Sequence, residues 1–190
     1  MNIAIFSGSF NPIHMGHLIL GNYVTEFTDI DEAWYLVTPQ NPLKENLNLL
    51  DEATRLEMVN IALEAYPKLK ASDFEFTLPL PSFTINTLEA LSEKYPQHTF
   101  SLLIGADNWQ VFDKWKDYKK LIQNYRMLIY PRPGYSSLST KDKGDIKILT
   151  SPIIDVSSTF IRQSIFDKRD VKAFLPEKVY QFIKDKKLYI

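Results

Sequence analysis

The chain has 190 residues, 45% of them hydrophobic and 24% charged, which suffices for one domain with a full buried core. Its 22 basic and 23 acidic residues nearly cancel, so no basic field points to nucleic acid, and an anionic ligand must be held by a local site. With no cysteine there is no disulfide framework, thiolate metal site or thiol redox chemistry.

The start of the chain lacks a charged leader followed by a sustained apolar region, and no window approaches the ~20 apolar residues that span a bilayer. A cytoplasmic protein without contact to membrane or nucleic acid is expected. Short apolar runs that suit buried strands lie at Asn2–Phe6, Ala33–Val37, Phe100–Ile104, Met127–Tyr130 and Ile146–Leu149. Helical patterns lie between several of them. A helix is expected over Asp51–Tyr66, with Ala53, Leu56, Val59/Asn60, Leu63 and Tyr66 on its apolar stripe and Pro67 as its stop. Others are expected from about Ile85 to Tyr95, within Asn108–Tyr125, after Ser157 and after Pro176. The segment Pro131–Asp145, rich in Pro, Gly, Ser and Lys, reads as an exposed loop. Strand and helix alternation of this kind predicts an α/β protein: a Rossmann-like open parallel sheet with helices on both faces. No repeat or boundary divides the chain, so residues 1–190 read as one domain, with a small helical part over about 157–190.

In such sheets ligands bind beyond the carboxyl ends of the strands, and the first strand-to-helix turn favours phosphate. Two of the three histidines fall there, in Ser7-Gly8-Ser9-Phe10-Asn11-Pro12-Ile13-His14-Met15-Gly16-His17. Asn11 followed by Pro12 predicts a helix start, with Asn as cap and Pro at the first helical position. His14 and His17, three residues apart, would then share a face near the positive end of the helix dipole. Gly8 would let backbone approach an anion, Ser9 would add a donor, and Gly16 would leave room between the histidines. Ile13, His17, Leu20, Val24 and Phe27 also form one stripe, so spacing alone leaves His17 open as a histidine at the edge of the core. A metal site is disfavoured, because no carboxylate neighbours the pair and His98 lies in another segment. Near the other end, Asp155-Val156-Ser157-Ser158-Thr159-Phe160-Ile161-Arg162 places three hydroxyls before an arginine. That pattern suits either a capped surface helix or a helix whose first turn faces phosphate.

GSFNPIHMGH resembles the (G/S)-G-(S/T)-F-D-P-x-H-x-G-H signature of the nucleotidyltransferase superfamily, with Asn11 where Asp is more usual. DVSSTFIR is similar to the I-S-S-T-x-I-R signature of bacterial nicotinate mononucleotide adenylyltransferases, with Val156 in place of Ile. Between them, Pro42-Leu43-Lys44, Arg55-Leu56-Glu57-Met58, Phe83-Thr84-Ile85-Asn86-Thr87-Leu88, Ile104-Gly105-Ala106-Asp107 with Trp115-Lys116, and Arg132-Pro133-Gly134-Tyr135 follow that family's order. The resemblance implies transfer of AMP from ATP to nicotinate mononucleotide, in NAD biosynthesis, with magnesium arriving on the ATP and no protein metal ligand assigned. It implies catalytic roles for His14, His17 and Arg162, and ATP contacts from Gly8, Ser9, Phe10, Gly105, Asp107, Ser157, Ser158 and Thr159. Mononucleotide contacts are implied for Lys44, Thr84, Trp115 and Arg132.

Taken by themselves, these residues also have structural readings. Lys44 would be a solvated lysine, Asp107 a helix cap, Trp115 a core partner of Phe112 and Tyr118, and Arg55 half of an ion pair that steadies its helix. The competing functions are an adenylyltransferase acting on nicotinamide mononucleotide or phosphopantetheine, and a non-catalytic nucleotide sensor. The phosphopantetheine family usually has Thr at the position of His14. A cytidylyltransferase is disfavoured by the C-terminal signature, and a class I tRNA synthetase by length and charge. Oligomeric state is not legible in the sequence.

Overall fold

The computed structural model describes residues 1–39, 49–135 and 144–190. Six parallel strands, β1 (Asn2–Gly8), β2 (Glu32–Val37), β3 (Leu69–Ser72), β4 (Thr99–Gly105), β5 (Arg126–Tyr130) and β6 (Ile146–Ile148), form one sheet in the order β3-β2-β1-β4-β5-β6. Among the described residues seven α-helices accompany them: α1 (Met15–Phe27), α2 (Glu52–Leu63), α3 (Thr84–Lys94), α4 (Ala106–Gln110), α5 (Tyr118–Asn124), α6 (Ser158–Phe166) and α7 (Glu177–Asp185).

Side chains alternate across a strand, so β1 buries two faces at once. Ala4 and Phe6 point to a core built with Val24 of α1, Met58 of α2, Ile161 of α6 and Val179 of α7. Ile3 and Ile5 point to the opposite core, with Ile85 and Leu88 of α3 and Leu121 of α5. Each such aliphatic side chain contributes roughly 1.5–3 kcal/mol on burial. The expected architecture of helices on both faces is therefore present, with α6 and α7 closing its C-terminal part.

Register decides where the sheet opens. β1 stays paired with β2 as far as Gly8↔Val37, but its pairing with β4 ends at Ile5↔Leu102. Beyond that point the tips of β1 and β4 diverge, and the chain leaves them toward opposite faces. The crevice so formed lies at the carboxyl ends of the strands, where the order reverses.

Two local expectations are corrected, and two elements add detail the sequence did not show. α1 begins at Met15 with His14 as its N-cap, not at Asn11–Pro12. Asn11 Oδ1 accepts from Tyr189 Oη at 2.8 Å and the Pro12 carbonyl accepts from Ser158 Oγ at 2.9 Å, so neither group serves the helix. β3 had no apolar run to announce it, being four residues long with Lys70 exposed. α2 ends at Leu63, three residues short of Tyr66, and it buries Arg55, Met58, Val59, Ala62 and Leu63 while Ala53 is exposed. Burial of Arg55 turns that face away from the expected stripe. Lastly, the helix expected within Asn108–Tyr125 is present as α5, and the 3-10 turn Phe112–Lys114 and the left-handed Asp117 (φ 52°) separate it from the additional short α4.

Candidate active site

The turn after β1 carries the first motif. Phe10 has a positive φ of 44°, and its buried ring packs against Phe6, Tyr35 and His17. A Cβ on Gly8 would stand 3.2 Å from that ring, so any side chain there would have to push the ring aside by a few tenths of an ångström. His17 Nδ1 accepts from the backbone N–H of His14 at 3.2 Å. An accepting Nδ1 carries no hydrogen, so the imidazole proton of His17 sits on Nε2. The two rings stack, centroids 3.7 Å apart and 26° between planes. His14 is buried, and a Cβ on Gly16 would stand 3.1 Å from its ring, so Gly16 accommodates His14 itself rather than a group between the histidines. Burial, reinforced by the Arg132 charge, pushes the His14 pKa down to about 4, leaving a neutral ring at physiological pH.

The second motif closes on the first. Ser157 caps α6 by accepting from the Phe160 N–H at 3.1 Å, and Ser158 reaches the Pro12 carbonyl. Arg162 Nη1 donates to the Asn11 carbonyl at 2.7 Å, and its Nη2 to Thr159 Oγ1 at 3.3 Å. A cleft of about 270 Å³ is thereby lined by Ser9, His14, His17, Arg132, Arg162 and the Ser157–Thr159 turn. Its donors are N–H and O–H groups and two guanidinium groups, a set suited to a polyanion. Gly8 and Phe10 line the same cleft.

Next to it, and sharing Phe6, Ser7, Gly8, Thr38, Asn108 and Tyr130, lies a second cavity of about 350 Å³. Thr84, Phe83, Trp115 and Gly105 line it. Trp115 does touch Phe112, with ring centroids 5.0 Å apart, yet it also faces this cavity, so core contact and site lining coexist. Arg132 lines the anion cleft rather than this second cavity, although the family pattern assigned it to the mononucleotide. Asp107 lies in the first turn of α4 behind Gly105, with one carboxylate oxygen 3.8 Å from Arg132 Nε. Lys44 lies outside the described residues. No three His, Cys, Asp or Glu side chains converge as a metal site among the described residues.

Two residues matter more than sequence reasoning allowed. Arg55 is buried and makes no ion pair among the described residues; it donates to the carbonyls of Leu50 (2.8 Å), Ser9 (2.7 Å), Thr38 (2.9 Å) and Pro39 (3.4 Å), clamping the turn after β1 to the exit of β2. The R-L-E-M match marked this residue without revealing its use. Tyr189, anchoring Asn11 from the far end of the chain, carried no signal at all.

A parallel sheet with an anion cleft at its switch point, gripped by stacked histidines and an arginine, defines the nucleotidyltransferase class. The cytidylyltransferase-like family model matches residues 5–164. Within that class, the chain belongs to the nicotinate-nucleotide adenylyltransferase family. Relatives named "Probable nicotinate-nucleotide adenylyltransferase" are 46% identical in Bacteroides thetaiotaomicron, over 97% of this chain and 92% of the relative, and 43% identical in Cytophaga hutchinsonii, over 100% and 98%. In fold, the chain is similar to Plasmodium falciparum nicotinic acid mononucleotide adenylyltransferase complexed with NaAD, with a TM-score of 0.82 at 20% identity over 99% and 97% of the two chains. It is also similar to a putative nicotinate-nucleotide adenylyltransferase of Vibrio parahaemolyticus, with a TM-score of 0.75 at 21% identity over 99% and 94%. No helix among the described residues is long and apolar enough to cross a membrane.

Proposed function

We propose that the protein transfers AMP from Mg-ATP to nicotinate mononucleotide, forming nicotinate adenine dinucleotide and pyrophosphate. A 5′-phosphate oxygen attacks the α-phosphorus while the bond from that phosphorus to the β-phosphate bridging oxygen breaks, and the pair of electrons leaves with pyrophosphate. The nucleophile is already ionised at neutral pH, so no general base is called for. Catalysis then rests on positioning and on stabilising the charge that grows on the phosphates.

The observation that carries this reading is the pairing of the two cavities. The polar cleft, with His14, His17 and Arg162, suits a triphosphate; the aromatic cavity, with Phe83, Thr84 and Trp115, suits a flat ring; and they meet at Ser7 and Gly8. His17 would offer Nε2–H, neutral His14 a donor without charge, and Arg162 with Ser157–Thr159 the grip on the leaving phosphates. Arg132 would join that grip. Gly105 and Asp107 would meet the adenosine, and Lys44 the mononucleotide phosphate. The divalent ion belongs to the substrate: it binds through ATP oxygens and retains waters.

The test is pyrophosphate release from Mg-ATP with nicotinate mononucleotide, nicotinamide mononucleotide or phosphopantetheine as acceptor. Release with the nicotinate form is expected to dominate. Release with phosphopantetheine alone moves the protein to another acceptor, and ATP binding without release from any of the three makes it a sensor.

A further inference from the structure

Glu75 is a buried acid that the mechanism above does not use. It sits in the 3-10 turn Phe74–Thr77 between β3 and α3 and is 2% exposed. Its Oε1 accepts from Ser7 Oγ at 3.0 Å and from Thr87 Oγ1 at 3.1 Å, while Thr38 Oγ1 lies 3.0 Å from Ser7 Oγ. Oε2 is buried and has no hydrogen-bond partner among the described residues. Burial pushes the carboxyl pKa up, and the hydroxyls of Ser7, Thr87 and Thr38 pull it back. Burial of a carboxylate is unfavourable unless an opposite charge reaches it, and among the described residues no ion pair does.

Glu75 lines the aromatic cavity together with Phe6, Phe83 and Trp115. The cations of that cavity, Lys114 and Lys116, are exposed, and Lys116 Nζ lies 4.5 Å over the Phe83 ring. The cavity therefore combines exposed positive groups with a buried carboxyl group, which a cationic ligand would favour in its ionised form. The ring nitrogen of a pyridine mononucleotide is quaternary: it is permanently positive and bears no hydrogen. Hydrogen bonding cannot recognise it; only aromatic faces and an opposing charge can. Oε2 is sealed from solvent, so it is poorly placed to take a hydrogen bond from a ligand hydroxyl, whereas its charge acts through a low-dielectric wall.

We propose that Glu75 is a positioning residue that sets specificity for the ring charge, favouring mononucleotides with a cationic pyridinium over those with a neutral ring. The proposal rests on the mononucleotide reading of this cavity. Calorimetric binding would compare nicotinate mononucleotide with its 1,4-dihydro form, which has the same phosphate, ribose and carboxylate but an uncharged ring. The wild type is expected to prefer the cationic form by roughly tenfold or more. Glu75→Gln, nearly isosteric and still able to accept from Ser7 and Thr87, should bring the ratio close to one, while Glu75→Asp keeps it; ATP binding should stay unchanged in both, and the melting temperature of the Gln variant should not fall, since it buries no charge. Equal weakening of both forms in the Gln variant would mean a packing or hydrogen-bonding role and overturn the proposal. So would an unchanged ratio in that variant, or no preference in the wild type. Dinucleotide formation from Mg-ATP is read separately: ring preference without turnover removes the functional reading alone, and turnover without ring preference removes this proposal alone.

Discussion

Arg162 donates to the carbonyl of Asn11 at 2.7 Å, joining the two signature motifs across 151 residues of sequence. The guanidinium thus has a structural partner on one side and the anion cleft on the other, and its plane is set before any ligand arrives. Arg162→Ala is expected to lower kcat roughly 10²–10³-fold, the usual cost of removing one preorganised donor at a developing charge. Arg162→Lys, which keeps the charge but not the fork, should recover only part of that loss. Steady-state kinetics with varied ATP check both; near-full turnover in the Ala variant would remove Arg162 from the site.

His17→Ala should cost a similar factor, roughly 10²–10³ in kcat, with circular dichroism and melting little altered. On the proposed mechanism the variant loses the Nε2–H donor to the phosphates, while the fold loses only the single part-buried contact from the His14 N–H to Nδ1.

The depressed His14 pKa has a stability signature. Its folded value of about 4 lies below the 6.5 of an unfolded histidine, so between those values the unfolded chain binds more protons. His14 therefore favours folding fully above about pH 6.5, and that contribution is lost as pH falls toward 4, by on the order of 3 kcal/mol in total. Urea unfolding from pH 7 to pH 4.5 should show a loss that His14→Asn, which cannot titrate, lacks in part.

Arg55 links three segments through carbonyls, so Arg55→Met would leave the buried acceptors of Ser9 and Thr38 unpaired. A loss of about 2–4 kcal/mol in stability is expected, with a raised KM for ATP because the turn at Ser9 loosens. Denaturant midpoints and ATP saturation curves measure the two effects; a stable variant with unchanged KM would mean the turn holds itself.

Gly16→Ala separates space from flexibility. A Cβ there meets the His14 ring at 3.1 Å and Ile154 at 3.4 Å, which requires the ring to shift by a few tenths of an ångström. Activity should fall at least tenfold, as expected for misplacement of a positioned donor, while alanine's helix propensity offsets some of the strain.

How much of this was legible in the letters depended on whether the informative feature was local. Five of the six strands and the helices on both faces followed from apolar runs and helical periodicity. β3 did not, because a four-residue edge strand owes its form to β2 rather than to its own composition. The histidine pair was visible, but its geometry was not: the N-cap fell on His14 because long-range bonds from Tyr189 and Ser158 occupy the groups of Asn11 and Pro12. Arg55 read by itself as half of an ion pair that steadies its helix, and Glu75 carried no signal in the sequence. Their burial is decided by carbonyls and hydroxyls contributed from other elements and loops, which no spacing rule records.

Tyr189 reaches back to Asn11 in the turn between β1 and the histidines. During synthesis the first motif emerges early, yet its turn lacks that support until residue 189 is in place. A chain lacking Tyr189 would carry every residue of both motifs and still miss one of the hydrogen bonds that hold the turn before the histidines.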